Sequence, residues 1–121
     1  MRIFNTTRKI TVCTKTETAN TAFKRARGLM FRKSLPKNTG LLMVFEKEQK
    51  PGIWMLGMRF PIDIVFLNSK KQVITIARNA QPCSLNPRTW HVYYPQKPVQ
   101  YVLEVNAGAA QGTHKGDRLT V

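Results

Sequence analysis

A chain of 121 residues with ordinary apolar content is long enough for one domain, residues 1–121, that buries a core without a metal or disulfide staple. This composition excludes an intrinsically disordered chain, and no segment reaches the length of a membrane span. Twenty Lys and Arg against six Asp and Glu give a formal charge of +14, which serves solubility and favours nucleic acid or another polyanion as partner.

The opening MRIFNTTRKITV lacks the apolar run of a signal peptide. Cys13 and Cys83 have no second Cys or His at metal spacing, so two free thiols in a reducing cytoplasm are expected. KITVCTKT (9–16) alternates Ile10, Val12 and Thr14 against Thr11, Cys13 and Lys15, as a half-buried strand does. The period then changes. Over residues 18–27, Ala19, Ala22, Phe23 and Ala26 fall at helical spacing, with Lys24, Arg25 and Arg27 off that stripe. Thr18 can cap this helix and Gly28 can end it, which places Phe23 in the core.

LPKNTG reads as a turn and LLMVFE as a short buried strand. After KEQKPG, the segments IWMLGMRF and IDIVFLN read as two strands divided by Pro61, which cannot donate to a ladder. NSKK forms a hairpin into QVITIAR. Pro82, Pro87, Pro95 and Pro98 mark a long irregular excursion with one extended piece at WHVYY. VQYVLEV is a strand, NAGAAQGTHKGD holds a short helix over residues 107–112, and RLTV closes the chain as a strand. About six or seven short strands and one clear helix make an α+β protein, mostly antiparallel, whose small sheet is expected to curl into a closed or partly open barrel.

Two acids stand out. Asp63 shares a face with Val65 and Leu67 in an apolar run, where an unpaired carboxylate costs several kcal/mol. Arg59 and the backbone amides around Pro61 or Gly57 are its nearest candidate partners, and the simplest role is to fix the bend. Glu104 lies with Gln100 and Val102, opposite Tyr101; on a neighbouring strand it could converge with Asp63 into a paired-carboxylate site. Arg32, Trp54, Met55, Asp63 and Glu104 are thus the candidate lining of a small-molecule or catalytic pocket. Met55 and Met58 are three apart on a strand and face opposite ways, which suits core filling rather than a shared copper ion. No metal site, phosphate loop or nucleophile elbow is present, and no cofactor is expected. Between residues 18 and 45 there is no acid, while Lys24, Arg25, Arg27, Arg32, Lys33 and Lys37 all occur; Lys24, Arg25, Arg27, Arg32 and Lys33 are the candidate anion-binding set. FKRARGLMFRK interleaves basic residues with Phe23 and Phe31, and WHVYYP clusters aromatics in a loop, a combination that suits single-strand binding.

RARGLMFRKSLPKNTGLLMVFE, IWMLGMRFPIDIVFLN, QVI, AQPC, YVLEVNAG and GDRL, in this order, resemble the bacterial and archaeal family known as domain of unknown function one-ninety-two (DUF192). The resemblance covers nearly the whole chain. It implies a compact β-rich domain with no established activity and no known cofactor. Its motif positions here are Gly28, Leu29, Met30, Arg32, Trp54, Met55, Pro61, Asp63, Ile64, Glu104, Gly108, Gly116 and Asp117. The chain departs from many relatives in carrying Leu56-Gly57 where a basic or amide residue is commoner, and in having no export signal. The functional expectation is a monomeric, non-enzymatic binding module for an anionic partner. The alternatives are the pocket above and a structural, protein-interaction module.

Overall fold

The computed structural model describes residues 1–121. Its centre is a five-stranded sheet of β3 (Lys15–Ala19), β4 (Thr39–Gln49), β9 (Val99–Asn106), β6 (Ile62–Leu67) and β7 (Val73–Ala80), in that spatial order. β3 and β4 are parallel; the other pairs are antiparallel. A second sheet joins β10 (Leu119–Thr120), β1 (Ile3–Asn5) and β2 (Ile10–Cys13), and β5 (Ile53–Trp54) pairs with β8 (Val92–Tyr93). The single α-helix is α1 (Ala22–Arg27), and Pro87–Thr89 forms one 3-10 turn. No helix is long and apolar enough to cross a membrane.

Alternation along the central strands makes two cores. Ile62, Ile64 and Phe66 of β6 join Leu41, Met43 and Phe45 of β4 and Val102 of β9 on one face, under Leu29, Leu35, Met55 and Met58. Val65 and Leu67 join Leu42, Leu103 and Val105 on the other, under Ile3, Val12 and Leu119 of the small sheet. All six residues of β6 are buried because both faces of its sheet are covered. That covering also corrects the expected barrel. The sheets stay open, since layers on each side already bury the apolar faces and closure adds nothing.

Local expectations shift for identifiable reasons. The predicted strand over residues 9–16 divides at Thr14; its first half pairs with β1 and its second half begins β3. Thr18 and Ala19 extend β3 against Leu42 and Met43, so the helix begins later than expected. Thr21 is the cap, its hydroxyl accepting from the Lys24 N–H. No residue of α1 is buried, and Phe23 is 74% exposed rather than core. Arg25 ties the helix down instead, donating to the Val44 carbonyl at 2.9 Å with its guanidinium over the Phe45 ring. Of the expected strand IWMLGMRF only Ile53 and Trp54 are extended; Gly57, at φ +77°, turns the rest. Residues 107–112 are successive turns, not a helix. β1 has no forecast in the pattern of the first eight residues.

A buried polar knot closes the small sheet. Asp117 accepts from Asn5 Nδ2 (2.9 Å), Arg8 Nε (2.7 Å) and the His114 N–H (2.9 Å), and Asn5 also donates to Thr113. Burial opposes ionisation of Asp117, but the bonds from Asn5, His114 and Arg8, with the charge of Arg8, outweigh it and hold the carboxyl below its usual range. A depressed folded value stabilises above the unfolded one and is lost as pH falls through it. Asp117→Asn is expected to lower stability at neutral pH by about 1–3 kcal/mol and to flatten the acid limb below about pH 4. Denaturant unfolding as a function of pH checks this, and an unchanged acid limb would discharge Asp117 from the role.

Candidate functional site

Asp63 and Glu104 lie on neighbouring strands but do not converge. In the β6–β9 ladder Asp63 stands opposite Val105, and Ile64 opposite Glu104. Directly paired residues share a face, so the one-residue offset sends the two acids to opposite sides of the sheet.

Asp63 is fully occupied. Its oxygens accept from the backbone N–H groups of Asn79 (2.9 Å), Gly108 (3.0 Å) and Ala110 (3.1 Å). Arg59 is exposed and makes no bond to it. Arg78 holds the same 107–113 loop from its carbonyls, donating to Ala110 at 2.8 Å and to Thr113. These bonds use the loop's polar groups against side chains, which is why it makes turns and not a helix.

Glu104 is the opposite case. It is 4% exposed, its Oε1 is buried, and that atom has no hydrogen-bond partner. Burial alone pushes the carboxyl up to about 7. It lies at the wall of a cavity of about 360 Å³. α1 and the residues after it supply Arg25, Arg27, Gly28 and Met30; β4 supplies Met43; the 52–54 segment supplies Gly52, Ile53 and Trp54. Gly28 is placed for this passage. A Cβ there would stand 3.2 Å from Met43 Cε and 3.4 Å from Glu104 Oε1, at a φ of +50° that disfavours side chains.

The other sequence candidates separate. Trp54, 45% exposed, shares the Glu104 cavity. Met55 is core, its carbonyl accepting from Met58 and Cys83. Arg32 is spent on a two-pronged ion pair with Glu17 at 2.6 and 3.1 Å, in a neighbouring depression. The molecule's two ion pairs engage Arg8 and Arg32, which leaves Lys24, Arg25, Arg27 and Lys33 without an acid. No group of three or more His, Cys, Asp or Glu side chains gathers anywhere in the fold. Phe31, 71% exposed, and Met30 pack beside Gly57, close to Phe23 across a shallow apolar depression. Gly28, Met43 and Gly52 were not singled out as lining. Only Gly28 had a signal, and the helix stop absorbed it.

Residues 3–121 match the DUF192 family, described as an uncharacterized ACR. The chain belongs to the DUF192 family. A UPF0127 protein of Pyrococcus furiosus is 35% identical over 104 residues, which cover 84% of this chain and 81% of that protein. One from Thermococcus sibiricus is 30% identical over 90 residues, 74% of this chain but only 53% of that protein, so this chain spans about half of some relatives. Among solved structures, a protein of unknown function from Novosphingobium aromaticivorans has a TM-score of 0.85 at 28% identity, covering 99% of this chain and 82% of that one. A candidate transcription regulator from Sinorhizobium meliloti has a TM-score of 0.81 at 31% identity, covering 98% and 89%. Asp63, Gly108 and Asp117 fall on bonds that fix turns, whereas Gly28, Met30, Trp54 and Glu104 fall on one cavity.

The raised value of Glu104 has a definite sign. Between the ordinary 4.5 and about 7 the folded protein keeps a proton that the unfolded chain has released, so stability is full below that interval and falls as pH rises through it. The loss is up to about 3 kcal/mol. Glu104→Gln is expected to stabilise the protein at pH 8 and to remove this slope. Urea unfolding at pH 5 and pH 8 on both proteins measures it; equal slopes would mean that the carboxyl is solvated.

Proposed function

We propose that this DUF192 protein is a binding module for a polyanion, with single-stranded nucleic acid as the partner and the α1 surface as the contact face. One observation carries the reading: Phe23 and Phe31 are left exposed among Lys24, Arg25, Arg27 and Lys33, none of which is paired with an acid. Exposed aromatic rings offer stacking platforms and unpaired cations offer phosphate contacts, the two components of sequence-tolerant single-strand binding. A helix of six residues is too short to fill a major groove, which disfavours duplex readout. The net charge of +14 supports the same partner class. The free thiols of Cys13 and Cys83 suit a reducing cytoplasm.

Fluorescence anisotropy titrations against single-stranded RNA, single-stranded DNA and duplex DNA at several salt concentrations test this. Binding to the single strands is expected to weaken steeply with salt. The triple change Lys24→Glu, Arg27→Glu and Lys33→Glu, which spares the Arg25 tether, should reduce the log–log slope by about 2 if each cation meets one phosphate. Binding to duplex alone, or none at low salt, would overturn the reading.

A further inference from the structure

We propose that the Glu104 cavity is a binding site for a small planar heterocycle whose edge presents a ring nitrogen beside an N–H group, as aminopyrimidines do. The inference stands on a different observation from the α1 surface and needs no polyanion.

An acceptor buried without a partner costs about 1–3 kcal/mol, and the folded chain leaves Glu104 Oε1 in that condition. The fold holds it there by construction. β9 is a central strand, and the chain crosses close above the carboxyl at Gly28, where a side chain would crowd it. The cavity, about 360 Å³, lies in the range of small-ligand sites. Its walls are apolar at Met30, Met43 and Ile53, and Trp54 supplies a partly exposed indole against which a flat ring can stack.

Charge narrows the class. The cations lining the cavity are Arg25 and Arg27, both from α1, and Glu104 is its only acid. Two guanidiniums beside one carboxyl disfavour a cationic ligand. Arg25 is engaged by Val44 and Phe45, whereas the Arg27 guanidinium makes no hydrogen bond or ion pair within the chain. A neutral ligand, or one with an anionic substituent reaching Arg27, fits this arrangement. The remaining requirement is an edge that satisfies a carboxyl group near its midpoint of ionisation at neutral pH. A ring nitrogen next to an amino group does so when Glu104 is protonated: the acid O–H donates to the ring nitrogen while the amino N–H donates to the other oxygen. Ionisation keeps the amino N–H bond but sets a carboxylate oxygen against the ring nitrogen's lone pair, so binding is favoured below about pH 7.

The probes are cytosine and 2-aminopyrimidine, with N4,N4-dimethylcytosine as the analogue that lacks the amino donor. NMR titration of the intact protein should shift the side-chain carboxyl carbon of Glu104 and the indole N–H of Trp54. The dimethyl analogue should bind at least about tenfold more weakly, since it loses one hydrogen bond and leaves a buried carboxyl oxygen unpaired. Glu104→Met removes the acceptor at similar bulk and leaves no orphan, so it should fold and should lose binding by a similar factor. Trp54→Ala alters only a part-exposed side chain and should weaken all probes together. Absence of binding by both amino probes would overturn the proposal. So would binding that survives Glu104→Met, or equal binding of the dimethyl analogue.

Discussion

Strand β6 is covered on both faces, so the carboxylate of Asp63 has no water to turn to and must be met by the backbone. It accepts from Asn79 on β7 and from Gly108 and Ala110 in the loop after β9. One side chain of β6 thereby ties down the end of β7 and the loop after β9. Ala110 is pinned into the second core, and Arg78 takes the carbonyls that Asp63 cannot. Removing that acceptor would leave three backbone N–H groups without their partner, the one at Ala110 fully buried.

Glu104 occupies an equally deep position one strand away and has none of this support. The difference comes from the parity of the ladder. Asp63 faces the side where a loop folds back with free amides, and Glu104 faces the side where only side chains and a glycine approach. Two acids in adjacent strands thus receive opposite treatment, one as structural anchor and one as an unmatched acceptor beside a cavity.

The central strands were legible because their alternation is long and their turns are marked by Pro61, Asn68 and the Gly-Asp step at Gly116 and Asp117. The α+β class followed from them. Closure was not legible, since it depends on whether other layers cover the sheet, and those layers come from β1, which has only three residues, and from irregular loops. The helical stripe over residues 18–27 misled because periodicity reports a possible face and not its burial. β3 claimed Thr18 and Ala19 through parallel pairing with β4, and the short remainder stayed on the surface. In the candidate site, Trp54 and Glu104 were visible as an aromatic and an acid in apolar strands. Their company of Gly28, Met43 and Gly52 was not, because it is assembled from three separated segments.

The order of strands in the central sheet also governs how the chain can reach this state. β6 and β7 form a hairpin across Asn68 and Lys71, and β1 and β2 are near in sequence; every other pairing in the two larger sheets joins distant segments. β9 lies between β4 and β6, the strands on which both cores rest. Loop closure is therefore met before most apolar contacts form, which places folding in the slow regime of roughly milliseconds to seconds. Without β9, β4 and β6 would each present an unpaired apolar edge, so the strand that carries Glu104 also shields the sheet from association with other chains.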